Sequence, residues 1–192
     1  MNTPDSQPKS AHRHIIRALR RPQRYSPRHA FLARCWVHSL GLPTGARVAC
    51  FAPIPGEPTF NAPRPLFNLL IDDSYHALLP KIHGDELRFG TAPLTAGKFN
   101  IPEPTEAPYT WKDLDAIIIP ALAVDFAGHR LGQGGGFYDK TWARAGKPQI
   151  PTAALIWESE FRPIAYEEHD MKATAVITER RIYPLPWMPT SG

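Results

Sequence analysis

Residues 115–139 read Asp-Ala-Ile-Ile-Ile-Pro-Ala-Leu-Ala-Val-Asp-Phe-Ala-Gly-His-Arg-Leu-Gly-Gln-Gly-Gly-Gly-Phe-Tyr-Asp, and this stretch decides the fold. Its three consecutive isoleucines, Ile117 to Ile119, form an apolar run that ends at Pro120. Such a run reads as a strand buried on both faces, the mark of a parallel sheet. A loop then delivers Arg130 and four glycines, Gly132, Gly134, Gly135 and Gly136, and Phe137-Tyr138-Asp139 open a helix. Glycine lets the backbone approach a ligand closely and take positive φ. Amides at a helix start, with an arginine beside them, suit an anion. A plain surface turn is the alternative. The strand–loop–helix setting and the adjacent arginine favour a phosphate-binding loop.

Two common phosphate loops are excluded. The P-loop needs Gly-Lys followed by Ser or Thr, but Gly97-Lys98 continues with Phe99 and Gly146-Lys147 with Pro148. The dinucleotide pattern Gly-x-Gly-x-x-Gly, counted from Gly132, ends on Phe137.

Outward from this stretch, helices and strands alternate. A helix over 12–21 stops at Pro22. A second, over 27–40, has Ser26 as N-cap, Pro27 at its first position and Gly41 after its end. Residues 47–53 read as a strand, and Pro53, Pro55 and Gly56 form a rigid turn that presents Glu57. A helix at 64–72, a strand at 75–80 and a short strand at 86–90 follow. Residues 91–112, rich in Pro, Thr and Gly, read as an active-site loop. Then come strand 115–120, helix 136–145, strand 152–157 and a last strand at 174–178. The 22 prolines mark where these elements must break. The pattern predicts a single α/β domain, a three-layer α/β/α stack on a mostly parallel sheet, with ligands at the carboxyl ends of the strands. The expected boundaries are a flexible segment at 1–11, the domain at 12–183 and a tail at 184–192.

At 192 residues the chain suffices for one domain with a substantial core. No apolar run approaches the ~18 residues of a membrane span. The polar, proline-bearing start, Met1 to Ser10, lacks the apolar centre of a signal peptide. Cys35 and Cys50 stand in no metal-like spacing and read as two buried thiols in a reducing compartment, so a cytoplasmic location is expected. The net charge of +4 is concentrated early, in Arg13, Arg17, Arg20, Arg21, Arg24, Arg28 and Arg34. A nucleic-acid footprint would look similar, but aromatic interleaving is missing, so most of these charges are expected on a solvated helix face with no nucleic-acid partner. Arg13 and Arg17, four apart, share one face and could reach one polyphosphate.

Candidate chemistry collects in the loops after the strands: Glu57 after the first, Lys81 after the second, Asp125 to Asp139 after the third, and Asp170 before the last. Asp139 and Asp170 are hard oxygen ligands of the kind magnesium accepts, and that ion keeps waters and bridges phosphates. As structural residues, Asp139 would serve the helix dipole and Asp170 a turn after His169. Asp125 is placed to brace the loop by accepting backbone hydrogen bonds. His129 and His169 have no visible Cys or Ser partner, so no nucleophilic triad is expected. Phe60, Phe99, Trp111, Phe137 and Trp157 read as core or pocket walls.

The pattern Asp125-x-x-Gly128-x-Arg130-Leu131-Gly132-x-Gly134-Gly135-Gly136-Phe137-Tyr138-Asp139 resembles the 5-formyltetrahydrofolate cyclo-ligase (5,10-methenyltetrahydrofolate synthetase) family. The resemblance runs from about Arg13 to about Glu179. It includes Arg13-x-x-Ile16-Arg17, Ser26-Pro27, Pro55-Gly56-Glu57, Leu79-Pro80-Lys81, Ile101-Pro102-Glu103-Pro104, His169-Asp170 and Thr178-Glu179. Departures from the family pattern are Arg13 for Lys, Asn100 for Gly, Phe137 for Tyr, and Glu160 near a customary Gln. The resemblance implies ATP- and magnesium-dependent cyclisation of 5-formyltetrahydrofolate to 5,10-methenyltetrahydrofolate, with release of ADP and phosphate. It implies ATP contacts at Arg13, Arg17, Arg130, Leu131, Gly132, Gln133, Gly134, Gly135, Gly136, Phe137 and Tyr138. Folate contacts would fall at Ala52, Glu57 and residues 133–137, and Mg2+ on Asp139 and Asp170. Arg130, Glu57 and Tyr138 would be the catalytic residues, and Phe99, Phe137 and Trp157 could stack on a pterin. Only small-molecule partners and a monomer are expected. Two other readings are a non-catalytic nucleotide- or sugar-phosphate-binding module, and an RNA-associated protein using the arginine-rich start.

Overall fold

The computed structural model describes residues 8–20, 26–59, 62–167 and 170–186. Arg21, Pro22, Arg24, Phe60 and His169 lie outside the described residues, as does the side chain of Phe99. Helices α1 (Lys9–Arg20) and α2 (Pro27–Ser39) precede β1 (Arg47–Ala49). Next come α3 (Leu66–Asp72), β2 (His76–His83), β3 (Glu86–Gly90), β4 (Leu94–Ala96) and β5 (Pro102–Pro104). The chain continues with β6 (Ala116–Pro120), β7 (Ala123–Val124), β8 (Arg130–Leu131), α4 (Phe137–Arg144), β9 (Thr152–Leu155), β10 (Ala175–Ile177) and β11 (Ile182–Pro184).

The main sheet has the order β11-β10-β9-β6-β1-β2-β3. The five inner strands pair in parallel, and β3 and β11 close the two edges antiparallel. Ile117, Ile118 and Ile119 have no exposed surface, as a central parallel strand requires. Each contributes roughly 2 kcal/mol by burial, and a one-residue slip would exchange the two faces, so the register is firmly set. Ile118 joins Val48, Leu79 and Leu155 on the face covered by α2 and α3. Ile117 and Ile119 join Leu78, Phe89 and Trp111 on the other face, against which Phe137, Tyr138 and Trp142 of α4 pack. This is the expected three-layer α/β/α stack. No helix among the described residues is long and apolar enough to cross a membrane.

Several local expectations are corrected. Residues 91–112, read as an active-site loop, hold the β4–β5 hairpin and two short 3-10 turns, Lys98–Asn100 and Trp111–Asp113. Prolines at both ends of β5 are tolerated because that strand pairs on one side only. Asn100 adopts φ 58°, a left-handed conformation that asparagine tolerates best after glycine, which accounts for its departure from the family's Gly. A small hairpin, β7–β8, intervenes between β6 and the glycine loop. Ser26 is the N-cap of α2 but makes no side-chain cap bond. Cys50 is buried, whereas Cys35 is exposed. Cys35 lies four residues after the exposed Phe31, on the outer side of α2, while Ala33, Trp36 and Val37 turn inward. Lys81 lies within β2 rather than after it, and its Nζ donates to Thr105 O at 2.6 Å.

His29 of α2 is fully buried, with Nε2 3.0 Å from Ile156 O and its ring edge-on to Trp157. Burial holds the imidazole below its ordinary 6.5, against weaker opposing pulls from the Ile156 carbonyl and Glu179. The folded state therefore binds fewer protons than the unfolded one below that value. Its contribution to stability is intact above pH 6.5 and is lost as pH falls through the depressed native value. Thermal unfolding from neutral pH to about pH 5 is expected to show a smaller acid-side decline for His29→Gln than for the wild type. Parallel curves would remove His29 from the acid response.

Candidate active site

In the sheet, β1 lies between β6 and β2, so the chain leaves β1 to one side and later returns on the other. Loops at the carboxyl ends of β1 and β6 must diverge there, and this opens a crevice. The turn after β1 carries Glu57 into it. Glu57 is 5% exposed; its Oε2 accepts from Ile54 N at 3.1 Å and its Oε1 from Gln133 Nε2 at 3.3 Å. Ala52 sits half-buried on the same turn. The end of β6 anchors two arginines: Arg130 Nη1 donates to Pro120 O at 3.2 Å, and Arg20 Nη2 donates to Ala121 O.

The β7–β8 hairpin sets the position of Arg130. At its tip, Asp125 Oδ1 accepts from Ala127 N at 2.9 Å and His129 N at 2.8 Å, so the residue expected to brace the glycine loop braces the hairpin that precedes it. Its Oδ2 lies 2.7 Å from His129 Nδ1, and the His129 ring stacks on Tyr166 at 3.6 Å. These two contacts give His129 a bracing role too. Arg130, 6% exposed, donates from Nη2 to Asp139 Oδ2 at 2.9 Å and lies 5.4 Å from the centre of the Tyr138 ring. Its Nε is buried without a partner among the described residues. At Gly132 a Cβ would lie 2.9 Å from Arg130 Nη1, so a larger residue there would crowd the guanidinium. Leu131 is buried, while Gln133, Gly134 and Gly135 are exposed and lead to Gly136, the left-handed N-cap of α4 at φ 66°.

Helix α1 closes the site from the amino-terminal side. Arg13 Nε donates to Gly132 O at 3.0 Å. Arg17 Nη2 donates to Gln133 O at 2.8 Å and Oε1 at 3.1 Å. Both arginines thus meet the glycine loop from the one helical face that their spacing gives them. Two further cations on the same face were not singled out from the sequence. Lys9 Nζ donates to Asp170 Oδ2 at 2.6 Å, and Arg20 makes a two-toothed pair with Glu160 at 2.5 and 2.9 Å. Arg20 is 5% exposed, which corrects its assignment to a solvated face. Lys9, Arg13, Arg17 and Arg20 stand four, four and three residues apart. That periodicity was the available signal.

Asp139 and Asp170 come from adjacent segments: Met171 N, next to Asp170, is 3.4 Å from Asp139 Oδ1. Asp170 Oδ2 also accepts from Glu167 N at 2.8 Å. No group of three or more His, Cys, Asp or Glu residues suited to a metal occurs among the described residues. Two carboxylates without further protein ligands suit magnesium, which takes its remaining oxygens from water and phosphate. Zinc would want a fuller set of protein ligands.

Burial shifts four titratable groups about the crevice. Burial raises Glu57 above the usual carboxylate range, against opposing pulls from Ile54 N, Arg20 and Gln133. Burial likewise raises Glu160, opposed by Arg20. It raises the Tyr138 phenol and pushes the Cys50 thiol up to about 12, so neither is an available nucleophile at neutral pH. Trp157 is buried and donates from Nε1 to Gly56 O at 3.0 Å, fixing the turn before Glu57. Phe137 packs against Gly135, with Lys98 Nζ 6.0 Å from its ring centre.

A doubly wound sheet with a glycine loop, a buried arginine and two carboxylates on adjacent segments beside its switch point defines an α/β protein whose crevice is suited to an anion. The profile of the 5-formyltetrahydrofolate cyclo-ligase family matches residues 7–179, and the chain belongs to that family. It is 31% identical over 163 residues to the 5-formyltetrahydrofolate cyclo-ligase of Mycolicibacterium smegmatis, covering 77% of this chain and 80% of that protein. The NMR structure of Aquifex aeolicus 5,10-methenyltetrahydrofolate synthetase superposes with a TM-score of 0.72 at 25% identity, over 96% of each chain. A Mycoplasma pneumoniae 5,10-methenyltetrahydrofolate synthetase shares the fold, with a TM-score of 0.68 at 20% identity over 91% of this chain and all of that one.

The contact of Gly132 with Arg130 yields a test. Arg130 is held at both ends of its guanidinium and cannot swing aside, so Gly132→Ala is expected to cost ~1–3 kcal/mol in urea unfolding. A cost near zero would show that the guanidinium yields.

Proposed function

We propose that this protein catalyses the ATP-dependent cyclisation of 5-formyltetrahydrofolate to 5,10-methenyltetrahydrofolate, releasing ADP and phosphate. The observation that carries this reading is the double engagement of Gln133. It accepts from Arg17 on one side and donates to Glu57 on the other. One residue of the glycine loop therefore joins the arginines suited to a triphosphate to the carboxylate suited to a folate. Phosphoryl transfer between two bound substrates needs that proximity.

A formamide carbonyl is a weak electrophile because its nitrogen shares electrons with it. The formyl oxygen attacks the γ-phosphorus, an O–P bond forms, and the bond to the β-phosphate oxygen breaks, releasing ADP. The formyl oxygen has become part of a leaving group. N10 then attacks the formyl carbon and gives up its proton. Phosphate departs with the former formyl oxygen, leaving the amidinium of the product. The protein's part is positioning and charge neutralisation. Arg130, the amides of residues 132–136, Arg13 and Arg17 hold the phosphates, while Glu57 accepts a hydrogen bond from the folate. Tyr138 backs Arg130 with its ring. Asp139 and Asp170 would hold Mg2+, which supplies charge neutralisation on the phosphates when bound. Small-molecule substrates, a monomeric state and a cytoplasmic location complete the reading.

Arg130→Ala is expected to lower kcat/KM for ATP by about a hundredfold or more. Arg144→Ala, which removes an exposed pair with Asp85, should stay near wild type. Asp139→Asn should raise the magnesium concentration needed for half-maximal rate. Equal losses at Arg130 and Arg144 would undo the phosphate-loop assignment, and unchanged magnesium dependence would remove Asp139 from the metal site.

A further inference from the structure

The buried charges behind Glu57 form a chain of three: Glu57, Arg20 and Glu160. Arg20 Nε and Nη2 are given to Glu160 at 2.5 and 2.9 Å, and Nη1 is left facing Glu57 Oε1 at 3.9 Å. All three side chains are at most 6% exposed. Glu160 is in turn fixed by Trp157 N, which donates to its Oε2 at 3.0 Å, and Arg20 by the carbonyl of Ala121 at the end of β6. Arg20 therefore has no freedom to leave. Neither its contacts nor those of Glu160 reach the glycine loop, so the pair serves neither the phosphates nor the paired aspartates.

We propose that Arg20, clamped by Glu160, is a positioning residue that keeps Glu57 an ionised hydrogen-bond acceptor for the folate substrate. This rests on the cyclo-ligase reading of the crevice. A carboxyl this buried favours its neutral form, and a neutral acid would present a donor where the substrate needs an acceptor. A guanidinium cannot lose its proton, so it supplies a permanent positive charge at this point. Glu160 both aims that charge and divides it. Facing Glu57 are Arg20 from α1, Glu160 from the turn after β9, Gln133 from the glycine loop and the Tyr138 phenol from α4. Only Arg20 among them is cationic.

The two members of the pair act on Glu57 in opposite directions, and this separates the proposal from simple loss of packing. Carboxyl carbons of 13C-glutamate-labelled protein are titrated by NMR, with the Glu57 signal identified by its absence in Glu57→Gln. Arg20→Met should raise the Glu57 midpoint by about one pH unit or more. Arg20→Lys should restore most of the wild-type midpoint, and Glu160→Gln, which keeps an acceptor for Arg20 but removes the competing charge, should lower it. The acid limb of kcat/KM for 5-formyltetrahydrofolate should move with these midpoints, while KM for ATP stays within about twofold of wild type, the phosphate contacts being untouched. An unmoved Glu57 midpoint in Arg20→Met, or shifts of the same sign in Arg20→Met and Glu160→Gln, would overturn the proposal. If Arg20→Met does not fold, Glu160→Gln still decides: a Glu57 midpoint that is not lowered there would overturn the proposal. Midpoints that shift as expected in a wild type that forms no methenyl product would overturn the reaction assignment and leave the hold of Arg20 on Glu57 standing.

Discussion

The ionic docking of α1 is the constraint on which the site depends. This helix gives Ile16 to a small cluster with Leu122, Ala123, Leu131 and Ile164. Beyond a bond from Ala165 N to His12 Nδ1 at 3.3 Å, its polar attachment runs through Lys9, Arg13, Arg17 and Arg20, whose partners lie 161, 119, 116 and 140 residues away in the chain. An apolar stripe would hold a helix without regard to what lies opposite. A stripe of cations holds it only against carbonyls and carboxylates in fixed positions. Breaking a buried pair such as Arg20–Glu160 typically costs ~3–5 kcal/mol, because the partner is left charged and dry. The position of α1 and the geometry of the crevice are therefore one property. Of the basic start of the chain, which resembles a nucleic-acid footprint in composition, Arg13, Arg17 and Arg20 are spent on this docking face, while Arg28 and Arg34 bond to Arg180 O and Asp73.

The sheet beneath was legible because its signals are local. The isoleucine run of β6, the prolines that end strands and the glycines after helices each act through their own backbone. The least legible elements are those whose pairing is short or whose composition argues against a strand. β5 is a Pro-Glu-Pro tripeptide, β7 and β8 are two residues each, and β11 follows a turn close behind β10. In the site, Arg13 and Arg17 were legible from spacing and resemblance, and Glu57 from the rigid turn that presents it. Arg20 and Glu160 were not. Their meaning lies in burial and mutual distance, and a composition-level reading sets buried and exposed arginines on the same footing. Cys35 was misjudged for the same reason, since cysteine's preference for the interior says nothing about the phase of α2.

The chemistry of the crevice is one of held charge. Cys50 is kept neutral by burial, the Tyr138 phenol is raised for the same reason, and His129 is tied between Asp125 and Tyr166. What remains is a fixed guanidinium, a run of exposed glycine-loop backbone, two carboxylates on adjacent segments, and a buried glutamate joined to Arg17 through Gln133. Such an arrangement suits a reaction in which the substrates supply both nucleophiles and the protein supplies orientation and field. The substitution of Phe137 for the family's tyrosine fits that account, since it removes a hydroxyl and keeps a ring on the wall formed with Gly135.

The proposed chemistry turns on the formyl oxygen being phosphorylated and leaving in the inorganic phosphate. It is tested most directly with 5-formyltetrahydrofolate carrying 18O in the formyl group, incubated with the protein, ATP and magnesium while methenyl product is followed by its near-ultraviolet absorbance. The account predicts ATP-dependent product formation, with the label recovered in inorganic phosphate in proportion to product. Product accompanied by unlabelled phosphate, or ATP hydrolysis without product, would contradict it.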